Sequence, residues 1–467
     1  MSRFIPPRPA PMTQTPSLLA RLRLTMGSSL SLFFTGSFKV DVGRYAIPTL
    51  PWFRRRMMFT VREPSLARQV LVRSPKTLCK SAIMDAMLRD LTGVSIFTST
   101  GDTWARQRRV LDQAFEQAGP KAVFPMMRDA CEAATAAIAD HARTQPGAAL
   151  DIDAAMTFFA ADVIFRTLFS EAIDPTQAKR IFAAFAAFQK IAYLQGMLSL
   201  IRLPRGMVPG AAQARRIALE IRALMKAPLD RRLAALREGR ATPEADILGA
   251  MVAAVDPVTG ERLGERELLD QITMLFLAGH ETSASALSWT LYLLANDPGL
   301  QARLRAEGEG VRGGQPIAFE HLKRLTLTRD VFREALRLYP PVAFLPRDVT
   351  ESHQLGDRSA PAGSVVFVAP WLLQRHAKHW PDPDAFDPDR FATPQGAEGL
   401  RCAYLPFSMG ERVCVGAAFA MQEATLLLTT LVQSFALSPA PGHTPQPVAH
   451  LTLRSANGVR LRITPRS

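Results

Sequence analysis

Apolar residues recur at steps of three and four over most of the chain, a period that predicts a mainly helical protein. The longest run is Glu265–Ala295, where Leu268, Ile272, Leu275, Phe276, Ala286, Leu287, Leu291 and Leu294 form one stripe. At 1.5 Å per residue this helix reaches roughly 45 Å, enough to cross most of a domain. Asn296-Asp297-Pro298 ends it, because proline cannot continue an α-helix. From about residue 121 to 245 the pattern gives successive amphipathic helices, among them 151–169 and 178–194. Leu203-Pro204-Arg205-Gly206 and Val208-Pro209-Gly210 interrupt it and mark a loop. A helix over 329–339 is closed by Pro340-Pro341, and the apolar run Ala417–Phe435 predicts a helix of about five turns.

Alternation with a period of two is confined to short stretches. Val40 and Val42 alternate with polar residues, as do Phe59 and Val61, and Pro64-Ser65 then opens a helix through Leu66, Val70 and Leu71. Val365–Val368 reads as a short strand. Residues 451–454 and 459–463 alternate around Asn457-Gly458, which predicts a hairpin. The fold class is therefore mainly α with small β-sheets. The first seventeen residues carry five prolines and no apolar core, unlike a signal peptide. Leu18–Phe38 is fairly apolar, but Arg21, Arg23 and Lys39 interrupt or flank it, so no transmembrane anchor is expected. Residues 1–39 read as a disordered Pro-rich extension and a leading amphipathic helix, compatible with peripheral membrane contact. Residues 40–467 read as one domain, without repeat or linker.

With 48% apolar residues the chain has ample material for one large core. Its four cysteines, Cys79, Cys131, Cys402 and Cys414, form no CxxC pair. Neither a zinc site nor a disulfide scaffold is indicated, and a reduced cytoplasmic setting is expected. The net charge of +14 is spread along the chain and mixed with acids, and no nucleic-acid motif accompanies it. The densest basic patches, Arg54–Arg56, Arg106–Arg109 and Arg231–Arg240, read as solvated helix faces. Arg106 and Arg109 carry a second reading, docking of an acidic electron donor.

The candidate chemistry centres on Phe-Ser-Met-Gly-Glu-Arg-Val-Cys-Val-Gly, residues 407–416. Cys414 stands just before a predicted helix, where the dipole and free amides favour a thiolate. Gly410 and Gly416 let backbone pass close to a bulky group or adopt positive φ. Arg412 supplies a fixed cation. A lone cysteine is most often a small buried hydrophobe; the joint spacing of Phe407, Gly410, Arg412, Cys414 and Gly416 argues against that here. Three further segments stand out. Trp104 and Arg108 share a helix face, with Asp102 or Thr103 as N-cap. Gly279, His280, Glu281 and Thr282 interrupt the apolar stripe of the longest helix, where Thr282 could simply bond back to the i−4 carbonyl. Glu334 and Arg337 are an i,i+3 pair, worth only ~0.2–0.5 kcal/mol if exposed.

Residues 407–416 resemble the heme-binding signature of the cytochrome P450 family, and the other three segments match that family in order and spacing. The resemblance implies that Cys414 is the proximal ligand of a heme b iron and that Phe407 packs against the thiolate side. It implies that Trp104 and Arg108 hydrogen-bond a heme propionate, that Arg412 helps to anchor the propionates, and that Arg347 contacts one. Thr282 is expected to hydrogen-bond dioxygen, directly or through water. Glu281 is expected to be the acid of a proton-relaying acid–alcohol pair, and Gly279 to permit a local opening for oxygen. Glu334 and Arg337 would be buried with Arg390 in a structural cluster. His376 is expected to be a satisfied structural histidine, and Cys402, which no glycine or arginine frames, is excluded as ligand. The substrate lining is expected from Gly93–Phe97, 190–210, Leu275–Gly279 and Ala343–Leu345, with Ser455 and Ala456 touching substrate from the C-terminal hairpin.

These features imply a soluble, bacterial-type heme-thiolate monooxygenase that inserts one atom of O2 into an apolar organic substrate, by hydroxylation or epoxidation. The residues beyond Cys414 are too few for a fused reductase, so a separate ferredoxin or flavodoxin with its reductase is expected to supply two electrons to a monomer. Two other readings are a peroxide-dependent peroxygenase and a non-catalytic heme sensor. The first commonly lacks an acid–alcohol pair, and the second predicts a poor reaction centre; Glu281-Thr282 argues against both.

Overall fold

The computed structural model describes residues 3–9, 28, 30, 40–47, 56–73, 76–203, 207–242 and 246–466. The helices are α1 (Pro64–Arg68), α2 (Ala82–Thr92), α3 (Gly101–Gln117), α4 (Pro120–Thr144), α5 (Ile152–Phe169), α6 (Pro175–Leu200) and α7 (Ala211–Arg237). They continue with α8 (Ile247–Ala253), α9 (Glu265–Ala295), α10 (Pro298–Arg312), α11 (Thr326–Leu338), α12 (Pro370–Leu373), α13 (Pro394–Cys402) and α14 (Ala417–Ser434). Helix α9 is the axis of the fold. It lies along α5 and also meets α7, α11 and α14. From Ser283 to Ala295 every residue is buried, as expected of a helix packed on all sides. Its end is chemically marked: Asp297 caps α10 by accepting from the Leu300 amide at 2.9 Å. The stacked rings of Trp289 and Tyr339, 3.9 Å between centroids, join α9 to the end of α11.

Strands β1 (Val42–Ile47), β2 (Arg56–Val61), β3 (Leu78–Lys80), β5 (Leu345–Val349) and β8 (Val365–Val368) form a sheet in the order β1-β2-β8-β5-β3. Its β3–β5 edge sets Lys80 opposite Arg347. Strands β6 (His353–Leu355) and β7 (Arg358–Ala360) pair as a small hairpin, and β4 (Ala149–Asp151), β9 (Phe435–Pro439) and β12 (Arg460–Pro465) form a third sheet in the order β4-β12-β9.

The C-terminal hairpin drawn from the alternating pattern is corrected. The turn exists: Gly458 has φ 76°, and Ser455 Oγ donates to its carbonyl. Its flanks do not pair with each other. Strand β11 (Leu453–Ser455) pairs with β10 (Pro447–Ala449), while β12 pairs with β4 and β9. Distant strands capture both edges, which no local period can report. Helix α3 starts two or three residues earlier than expected, with Thr100 at the N-cap and no side-chain cap bond. Helix α6 is longer than the apolar period suggested, because Asp174 caps it by accepting from the Gln177 amide.

Residues 3–9 do not form a free tail. Phe4 and Pro7 carbonyls accept from the Phe386 amide and the Tyr339 hydroxyl, and Arg8 pairs with Asp384. Of the expected leading helix, only Ser28 and Leu30 are among the described residues, both buried. Arg54, Arg55 and Pro204–Gly206 also lie outside them. Among the described residues one helix, Pro175–Leu200, is long and apolar enough to cross a membrane by length and composition. In this fold it packs against α2 and α7.

Candidate active site

The loop before α14 is held by constraints that explain its residue types. Gly410 has φ 75°, and a Cβ there would sit 2.6 Å from the Leu71 carbonyl oxygen, so both conformation and space demand glycine. The Cys414 amide donates to the Phe407 carbonyl at 3.0 Å, closing the loop on itself. Gly416 is the N-cap of α14, and a Cβ on it would meet no protein atom within 4 Å. Cys414 is solvent-accessible. The protein packed around it nevertheless desolvates the thiol and pushes its pKa up, while the Gly416 amide and the Arg108 charge act the other way.

A cluster of cations surrounds the approach to this loop. The Arg412 guanidinium lies over the Trp104 ring, 4.2 Å from its centroid, and donates to the Ser99 carbonyl at 3.1 Å. Burial lowers its pKa to about 10, with repulsion from Arg347 adding to the effect. Lys80, over the Phe97 ring at 3.8 Å, is pushed well down by burial and by Arg412 and Arg347. Arg347 is buried and desolvated, and its Nη1 donates to the carbonyl of its neighbour Pro346 at 3.0 Å. Converging cations that depress one another call for anionic groups among them. Two carboxylates on one rigid ring system fit this donor set, and so does a thiolate presented at an open glycine. Arg108 pairs with Asp112 and donates to the Val413 carbonyl at 2.7 Å, beside Cys414. Lys80 had no local signal in the chain; only the β3–β5 register brings it to Arg347.

A second network fixes the segment entering the loop. Glu334 and Arg337 are fully buried. Arg337 makes a two-point pair with Glu334 at 2.7 and 2.8 Å, and Arg390 donates to the same carboxylate at 2.9 Å. The remaining guanidinium protons go to carbonyls of Gln374, Pro381, Asp382, Pro383 and Ala385. Gln374, not singled out from the chain, links this cluster to the loop: its Nε2 donates to the Arg337 carbonyl and its Oε1 accepts from the Leu405 amide. His376 is satisfied by Asp41 and the Lys378 amide, and Cys402 lies at the end of α13 near His379.

Helix α9 supplies the facing wall. A cavity is lined by Ala278, Glu281 and Thr282 of α9, by Ile83, Met84, Met87 and Leu88 of α2, and by Phe97, Tyr193, Met197, Ala343, Phe344 and Phe367. The C-terminal segment contributes Ala449–Thr452. Of the expected lining, Phe97, Tyr193, Met197, Leu277, Ala278, Ala343 and Phe344 are present. Ser455 and Ala456 are absent from it, because the β10–β11 turn, not the Asn457-Gly458 turn, reaches the cavity. Thr282 Oγ1 donates back to the Ala278 carbonyl at 2.6 Å. Gly279 is not on the cavity wall; a Cβ there would sit 3.0 Å from Ile164, so this glycine lets α5 approach α9. Glu281 accepts from Arg454 at 3.0 and 2.8 Å and from Thr452 at 2.7 Å. Helices α9 and α14 meet where Ser283 bonds Glu423, one residue after Thr282 and nine after Cys414. Two of the basic residues weighed for partner docking are engaged internally, Arg109 with Asp256 and Arg106 with Glu267.

The family model described as Cytochrome P450 matches residues 45–461. The chain belongs to the cytochrome P450 family. This P450 is 33% identical over 416 residues to cyclooctatin synthase of Streptomyces melanosporofaciens, covering 88% of this chain and 87% of that one. It is 31% identical over 406 residues to pentalenene oxygenase of Streptomyces avermitilis, covering 86% and 87%. The crystal structure of the cytochrome P450DA heme domain shares its fold with a TM-score of 0.76 and 25% identity, over 91% of this chain and 89% of that chain. The P450 is an oxidoreductase that incorporates oxygen from O2, its cofactor is heme b, and it works with redox partners on apolar substrates.

Proposed function

We propose that this P450 hydroxylates or epoxidises an unsaturated, isoprenoid-type hydrocarbon or its simple alcohol. The observation that carries the reading is the cavity wall, which is apolar and methionine-rich apart from Tyr193, His450 and the Glu281–Thr282–Thr452 group. Such a wall offers area and adaptable contacts, with few fixed hydrogen bonds. The names of two relatives point the same way: one acts on pentalenene, an alkene, and another is a cyclooctat-9-en-7-ol 5-monooxygenase, acting on an unsaturated alcohol.

Cys414 would hold the heme iron, with Phe407 and Gly416 as its immediate frame; Trp104, Arg108, Arg347 and Arg412 would receive the cofactor's carboxylates, and Gly410 shapes the loop. When bound, thiolate-ligated heme supplies the reductive activation of O2. The chain's own part is positioning and proton control. Thr282 commits its hydroxyl proton to the Ala278 carbonyl, so its oxygen offers lone pairs to a water or oxygen species in the cavity. Glu281, its neighbour, is the carboxylate from which protons are passed. The apolar wall excludes other water, which limits loss of protons and electrons to side reactions. A separate ferredoxin or flavodoxin is assigned as donor to a cytoplasmic monomer; the basic net charge supports an acidic partner.

The test is a panel of terpene hydrocarbons, terpene alcohols, steroids and fatty acids, each titrated against the ferric holoenzyme while the Soret band is followed. The reading expects the largest shift and tightest binding among the terpene alkenes and alcohols. Tightest binding by fatty acids or steroids would overturn it.

A further inference from the structure

Glu281 is held from a part of the chain far from its own helix. Arg454 of β11 makes a two-point pair with its carboxylate, Nε to Oε1 at 3.0 Å and Nη2 to Oε2 at 2.8 Å. Thr452 Oγ1 donates to Oε1 at 2.7 Å. The adjacent His280 ring lies 3.9 Å away and bonds the Phe276 carbonyl. Glu281 is only 5% exposed. Burial alone would raise its pKa, but Arg454, His280 and Thr452 together bring it to about 2. A carboxylate in this state has no proton to give and accepts hydrogen bonds at both oxygens. It can pass a proton only after Arg454 loosens its hold.

Two observations give that loosening a structural route. The segment that carries Thr452 and Arg454 also forms cavity wall through Ala449–Thr452, so whatever presses on the wall presses on the clamp. On its other side Arg454 faces α5, where Nη1 donates to Thr157 Oγ1 at 3.4 Å and its charge lowers the pKa of Asp153. Asp153 is desolvated, which raises its pKa against the pull of the Arg454 charge. It is a second carboxylate within the electrostatic reach of the same guanidinium.

We infer that Arg454 is a positioning residue that sets when Glu281 can carry a proton, with the β10–β11 segment as the moving part and Asp153 as the alternative partner. The inference rests on the assignment of Glu281 as proton carrier. The step is a proton transfer only. Glu281, freed from Arg454, takes at one carboxylate oxygen a proton that bulk solvent supplies as hydronium, and gives it to the water held at Thr282; the hydronium becomes water, the positive charge passes on with the proton, and the residue ends as it began.

The test uses the heme-loaded enzyme and two readouts. Infrared difference spectra between pH 5 and pH 8 report a protonated Glu281 as a carbonyl band that Glu281→Gln removes. NADPH oxidation and peroxide yield, driven by a plant-type ferredoxin and its reductase, report proton delivery across the same pH range. Wild type is expected to show no Glu281 band. In Arg454→Met the buried carboxyl loses its cation, and its midpoint should rise by at least about 3 pH units into this range. NADPH oxidation should follow that new midpoint. Arg454→Lys keeps the charge and is expected to restore most of the wild-type profile, and Thr452→Val should produce a smaller shift in the same direction. Absence of the band in Arg454→Met, or an unchanged pH profile despite it, overturns the inference. If Glu281→Gln matches wild type in oxidation rate and peroxide yield, the proton-carrier assignment itself is wrong, whatever Arg454→Met shows.

Discussion

Arg412 lies across the indole of Trp104, 4.2 Å from the ring centroid, whereas Arg108, four residues after Trp104, reaches the Val413 carbonyl. Two arginines therefore tie α3 and the cysteine loop together in opposite directions, one from each side. Both sit in a cation cluster suited to the heme carboxylates. Substituting Arg412 with Ala removes the cation and uncovers Trp104. The expected outcome is a roughly 10–100-fold faster loss of heme, the range seen when a group supporting a metal ligand is removed. Transfer of heme to apomyoglobin measures it, and Arg412→Lys should recover only part, since an ammonium cannot stack as a planar guanidinium does.

The Glu334–Arg337–Arg390 cluster never touches the cavity, yet Gln374 connects it to Leu405, two residues from Phe407. Glu334→Ala strands two buried guanidinium groups and is expected to cost about 3–5 kcal/mol. Thermal unfolding with heme absorbance as a second probe should show both transitions falling together. Loss of stability with unaltered heme retention at ambient temperature would argue against the link through Gln374.

Glu423 gives a pH signature. Burial raises its carboxyl pKa from 4.5 to about 8, and the Ser283 hydroxyl only partly offsets this. The folded protein therefore keeps a proton that the unfolded chain releases above pH 4.5. Its contribution is fully present below pH 4.5 and declines as pH rises through 8, by on the order of a few kcal/mol. Glu423→Gln should flatten this dependence. Denaturant midpoints at pH 5 and pH 8.5 check it: the variant is expected to gain on wild type at the higher pH.

Thr282 bonds the Ala278 carbonyl in a manner any helical threonine could adopt. Its functional role therefore shows only in turnover. Thr282→Ala is expected to keep heme and fold but divert electrons to peroxide. Peroxide released per NADPH consumed measures this, and full coupling in the variant would remove Thr282 from the relay.

Much of this site was legible in the chain because its chemistry imposes local spacing. The cysteine loop needs Gly410 at positive φ against Leu71, and the buried acid pair needs Glu334 and Arg337 one turn apart. The α9 pattern reads directly because a buried helix keeps its period for its full length. What stayed hidden depends on long-range placement. Lys80 reaches Arg347 only through the β3–β5 register, and Arg454 reaches Glu281 across 173 residues of chain. The Asn457-Gly458 turn was read correctly, but its flanking strands belong to different sheets, since partners elsewhere decide pairing. The close approach of Ile164 of α5 to Gly279 is likewise a contact that the local pattern does not carry.

The assignment of Cys414 as the heme ligand is tested most directly by the reduced carbon monoxide difference spectrum. Wild-type protein is expected to show the red-shifted Soret band of a thiolate-ligated heme, and Cys414→Ala to lose it, while Cys402→Ala keeps it. A band that persists in Cys414→Ala, or that vanishes in Cys402→Ala, would contradict the account.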